Sequence, residues 1–153
     1  MACVTFLTPA QRAALQAPVR RRPPAEIMAA HPAPPVTAGK LARLRLLAAD
    51  TDPRIRQSAA LNRHAPPDVL WRLAADGDVS IRSAVARNER APAPLLAALG
   101  DDASPRVRGW VAANPATPPP LLESLAADAD PTVRRIVEWA RRWDSPHQPG
   151  DER

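Results

Sequence analysis

Three residue sets have the types and spacing for chemistry. Acid pairs occur at Asp50/Asp52, Asp76/Asp78 and Asp128/Asp130. An arginine recurs at Arg56, Arg82, Arg108 and Arg134, and an asparagine at Asn62, Asn88 and Asn114. Paired acids suggest a calcium loop, but such a loop gathers six or more oxygens in one cradle. Two acids flanking a turn read better as helix caps. The arginines could form a cationic ladder for phosphate or acidic partners. The stronger reading is a structural ladder, because Arg56 lies four residues after Asp52 and stacking would bring it near Asp50 or a neighbouring unit's acid. The asparagine amides are expected to satisfy backbone groups where one helix ends and the chain turns.

The remaining nucleophiles and ligands are dispersed. His31, His64 and His147 fall in different segments, and Cys3 is the single cysteine. No zinc spacing, nucleophile elbow or glycine-rich phosphate cradle is present. The sequence therefore gives no catalytic residue, no metal ligand set and no cofactor site, and it reads as non-enzymatic.

What must position these residues is a repeat. Ile55-Arg56, Ile81-Arg82, Val107-Arg108 and Val133-Arg134 are 26 residues apart, as are Leu44, Leu70, Leu96 and Leu122. Leu47, Leu73, Leu99 and Leu125 keep the same step. A fixed period of this length marks a stacked helical repeat. The expected fold is all-α, a solenoid of paired short helices. The first helix of each unit should begin at Asp52-Pro53, Asp78, Ser104-Pro105 and Asp130-Pro131, with Asp or Ser as cap and Pro tolerated next. The second should follow Pro66-Pro67, Pro92 and Pro118-Pro119-Pro120, carry Leu at i and i+3, and stop near Asp76, Gly100 and Asp128. Helices this short need neighbours to hold them. Ile55, Ile81, Val107 and Val133, with Ala59, Val85, Val111 and Val137, should face the core, and Ala60, Ala86 and Ala112 should lie where helices approach closely.

The expected organisation is an N-terminal helix and basic linker over 1–24, then a helical repeat domain over 25–143. Within it, 25–40 reads as a degenerate capping unit and 41–143 as four units. Residues 144–153 read as a disordered tail.

Composition fits this plan. Pro is abundant at 20 residues, yet most prolines stand at fixed points of the repeat, so they punctuate helices. No stretch approaches the ~20 apolar residues of a membrane span. The N-terminus lacks a signal-peptide core, and a cytoplasmic location is the expectation. The formal charge of +5 concentrates toward the N-terminal end.

The form Leu-x-x-Leu-Ala-x-Asp-x-Asp-Pro-x-Val-Arg, continued by Val-Ala-x-Asn-x-x-x-Pro, resembles the leucine-rich repeat variant family. It is clearest at Leu122 to Arg134 and at Asp102 to Pro118. The resemblance implies a right-handed superhelix of alternating α and 3₁₀ helices. The unit here is slightly longer than the family's usual one, so the second helix could be α or 3₁₀. The founding type carries an iron–sulfur cluster in a cysteine-rich segment; with Cys3 alone, that cofactor does not carry over.

The face opposite the core should hold positions 54, 57, 58 and 61 and their equivalents, which vary between units on a constant frame. Arg54, Arg87, Arg106, Trp110 and Arg135 are the candidate partner surface, since Trp and Arg are frequent interface anchors. Trp139 and Trp143 are expected to seal the last unit. The leading expectation is a scaffold that binds another protein. The alternative is nucleic-acid binding through Arg20, Arg21, Arg22, Arg43 and Arg45, joined by Arg54 and Arg56.

Overall fold

The computed structural model describes residues 36–144, with side chains through Arg142. The segment 1–24, most of the degenerate unit, Cys3, Arg20–Arg22, His31 and His147 lie outside the described residues.

Eight α-helices and no strand occur among the described residues. They are α1 (Ala38–Leu47), α2 (Pro53–Ala60), α3 (Pro67–Ala74), α4 (Val79–Ala86), α5 (Ala93–Gly100), α6 (Pro105–Ala112), α7 (Pro119–Ala126) and α8 (Pro131–Asp144). The even-numbered helices are the first helices of successive units and pack side by side. The odd-numbered second helices form the other layer, with α3 on α5 and α5 on α7.

The starts follow local chemistry. Asp52, Asp78 and Asp130 accept from the amides of Arg54 (2.8 Å), Ser80 (2.7 Å) and Thr132 (2.7 Å). Ser104 departs from its expected role and makes no side-chain cap bond. The turn before α6 is shaped two residues earlier, where Asp102 Oδ1 accepts from the Ser104 amide at 2.8 Å. Asp50, Asp76 and Asp128 do the same for Asp52, Asp78 and Asp130. Each acid pair thus forms two successive turns, as the capping reading expects.

The second helices open after Pro66, Pro92 and Pro118 without side-chain caps. All are α, so the alternation with 3₁₀ helices that the resemblance implies is not seen. α1 starts at Ala38, and the boundary expected at 40/41 falls inside it. α8 runs to 14 residues where α2, α4 and α6 have 8. Ala140 replaces the asparagine that ends the others, and no Pro follows until Pro146.

The core lies between the two layers. Leu70, Leu73, Leu96 and Leu99 meet Ile81, Val85, Val107, Val111, Val133 and Val137, and all are buried. Ala59, Ala60, Ala86 and Ala112 are buried with them, whereas Ile55 is half-buried. Val69 and Leu95, one residue before the repeated leucines, are buried as well. At about 1.5–3 kcal/mol per fully buried aliphatic side chain, this cluster is the main force holding helices too short to persist alone.

Candidate functional site

The repeated polar residues prove to be internal fasteners. Arg56 donates through Nε to Asp76 Oδ2 at 2.7 Å and through Nη2 to Oδ1 at 3.3 Å. Arg82 and Asp102 repeat the bidentate pair, as do Arg108 and Asp128, each with Nε to Oδ2 at 2.7 Å. Each acid lies twenty residues on, in the turn that leads into the next unit's first helix. The Nη1 of each arginine turns back to carbonyls just after the preceding second helix, at Asp50, Asp76 and Asp102. Arg134 makes the same Nη1 bond, to Asp128 O.

These contacts hold the aspartates ionised. Bonding from Arg56 and Arg108 sets Asp76 and Asp128 below the usual carboxylate range. At Asp102 burial is the largest influence and acts upward, but Arg82 and the Ser104 amide outweigh it, and the group is also held low.

The asparagines form a second ladder. Asn88 Nδ2 donates to Ala60 O at 2.7 Å and Asn62 O at 3.1 Å. Asn114 Nδ2 donates to Ala86 O and Asn88 O at the same distances. Each Oδ1 accepts the amide two residues on.

The surface outside this frame opens one apolar groove of about 460 Å³ between α6 and α8. Pro105, Gly109 and Ile136 line it, with Trp110 and Trp139 beside them. Both indoles keep large exposed areas, 37% for Trp110 and 54% for Trp139. The Arg87 guanidinium stacks over the Trp110 ring, 4.5 Å from its centroid. Arg106, Asp130 and Thr132 complete one end. Gly109 explains why α6 and α8 come so close: a Cβ there would lie 2.9 Å from Ile136 Cδ1.

The family model for the leucine rich repeat variant matches residues 105–130, about a sixth of the chain. This segment is similar to a leucine-rich repeat variant unit. It comprises α6, α7 and the turn to α8, and it holds Arg108, Asn114 and Asp128 of the two ladders. No curated protein matches the chain, and no solved structure matches it. The α6 wall of the groove is therefore part of the matched repeat unit, while Trp139 and Ile136 come from the helix after it.

Of the candidate partner residues, the structure brings Arg87, Arg106 and Trp110 together at the groove. Arg135 is exposed on α8 outside the lining, and Arg54 is exposed on α2. For the nucleic-acid alternative, Arg45 is engaged by Asp68 at 2.7 Å and Arg56 by Asp76. Arg43 lies beside Lys40 along a hollow of about 590 Å³ at α1.

Two expectations fail. Ser83, Ala84 and Gly109, assigned to the open face, are buried, because the first helices of successive units pack laterally and cover these positions. Trp139 does not seal the last unit, because its indole stays 54% exposed. The Trp143 side chain lies outside those described. Sequence reasoning did not find the groove, although Gly109 opposite a large residue in the next unit was its available signal.

No helix among the described residues is long and apolar enough to cross a membrane.

Proposed function

We propose that this protein is a cytoplasmic, non-enzymatic repeat scaffold that binds another protein in the groove between α6 and α8. One observation carries this reading: Trp110 and Trp139 hold their rings half-exposed across an apolar groove, while the ladder polar groups around the core are engaged internally. A ring left in water lacks the burial that rewards a large apolar surface, and a partner would supply it. Central aromatic and arginine anchors are the features that dominate protein interfaces.

The test is affinity capture with the full chain against Trp110→Ala combined with Arg106→Ala, both verified as folded by circular dichroism. A captured protein lost with the double variant supports the reading. Capture that is indifferent to it removes the groove from the function. Retention of DNA or RNA at about 50 mM salt, with a steep loss on raising it, would favour the basic-residue alternative instead.

A further inference from the structure

We propose that copies of this chain join head to tail, the α8 end of one repeat stack docking on the α1–α2 end of the next, with Arg134 of one copy pairing with Asp50 of the other. This is independent of the α6–α8 groove.

The two ends are unmatched halves of a contact that the stack makes three times. Arg56, Arg82 and Arg108 each fork onto an aspartate twenty residues on. Arg134 keeps the Nη1 bonds of its equivalents, to Asp128 O and Ala129 O, but its Nε and Nη2 meet no carboxylate among the described residues. Asp50 is the converse. It shapes its turn as Asp76 does, accepting the Asp52 amide at 2.9 Å, and its carbonyl accepts from Arg56. No guanidinium bonds its carboxylate among the described residues. A forked donor is thus left open at one end and its carboxylate acceptor at the other.

Apolar burial and side-chain size agree. A stack that stops at its last unit needs polar ends, yet these ends keep the aliphatic residues of the repeat. Ile55 is half-buried at the first end, where its equivalents Ile81, Val107 and Val133 are fully buried. Leu121 and Leu122 are half-buried at the other, where Leu95 and Leu96 are fully buried. Neighbouring first helices also pack large against small. Gly109 meets Ile136, and the same 26-residue step sets Ser83 opposite Trp110 and Gln57 opposite Ala84. One step further, Arg135, exposed on α8, faces Ser58, exposed on α2 of a second copy. In that register the incoming α2 lies beside α8 as α8 lies beside α6, and the incoming α1 continues the layer of α7. The contact is heterologous, so each copy keeps a free end and assembly continues past the dimer.

The experiment is sedimentation velocity of the full chain over a concentration series, with helicity checked by circular dichroism. The expected result is an average mass that rises with concentration from that of one chain through successive oligomers. Arg134→Glu should weaken the association roughly tenfold or more. Asp50→Asn should do the same while keeping the Oδ1 acceptor of its turn, and it decides the matter if Arg134→Glu fails to fold. Arg134→Glu and Asp50→Lys should each associate poorly alone and recover association when mixed, because each then offers the other an opposite charge. The mass of one chain at every concentration overturns the proposal. So does association that Asp50→Asn leaves unchanged, or a mixture of folded charge variants that recovers nothing. Association lost with Trp110→Ala and kept with Asp50→Asn puts the copy–copy contact in the groove, which overturns this proposal and leaves the groove reading standing.

Discussion

Arg82 and Asp102, twenty residues apart, meet through two parallel bonds, Nε to Oδ2 at 2.7 Å and Nη2 to Oδ1 at 3.1 Å. Asp102 also accepts the Ser104 amide, and its carbonyl accepts from Arg108. One residue thereby ties the preceding unit, its own turn and the arginine that reaches the next unit. Arg56, Asp76, Arg82, Asp102, Arg108, Asp128 and Arg134 form a continuous spine by this rule.

Asp102→Asn should cost about 2 kcal/mol in urea unfolding, since it removes a charged acceptor from a mostly covered guanidinium. Asp68→Asn should leave the midpoint within error, because Arg45 and Asp68 are both half in water. Equal effects of the two changes would remove the spine's special standing.

Asn114→Ala takes the Asn114 amide from the Ala86 carbonyl and one of two donors from the Asn88 carbonyl, which keeps the Ala91 amide, and Asn114 is itself buried. A loss of about 2–3 kcal/mol is expected. Hydrogen exchange of the α4 and α6 amides should accelerate together, since this side chain bridges the two units.

Ser83 has the opposite sign. Its hydroxyl is buried without a hydrogen-bond partner. Ser83→Ala should raise stability by up to about 1 kcal/mol, through relief of desolvation and better helix propensity. A clear loss in thermal unfolding would show that the hydroxyl is satisfied.

Acid should weaken the stack. Asp76 and Asp128 are held low by arginine bonding; Asp102 is held low by Arg82 despite its burial. Unfolded aspartate titrates near about 3.9. Above that value both states are ionised and the full contribution is present. As pH falls, the unfolded state takes protons first and stability declines, to be lost through the lower folded values. Helicity against pH should therefore show a loss beginning near pH 4, with a shallower fall in Asp102→Asn.

The repeat made most of the fold legible. Asp52, Asp78 and Asp130 marked helix starts, and the constant Ile, Val and Leu positions marked the core. The ladder was legible as structure, but its partners were not, because a sequence period does not say which unit's acid an arginine will reach. The buried state of Ser83, Ala84 and Gly109 was hidden for a related reason. Their side chains vary between units, yet lateral packing of α4 on α6 and of α6 on α8 covers whatever small residue stands there. Trp139 was misread because terminal units usually need sealing, whereas its indole here stays half exposed beside the groove. The groove depends on relations between Gly109, Trp110, Ile136 and Trp139 on two helices, which no single-unit pattern displays.

The most direct measurement is site-resolved photocrosslinking in cells. A photoreactive amino acid is placed at Thr132, at the groove, or at Trp71, exposed on α3. The docking account predicts a discrete protein adduct from Thr132 and none from Trp71. Adducts from Trp71 alone, or equally from both, would contradict it.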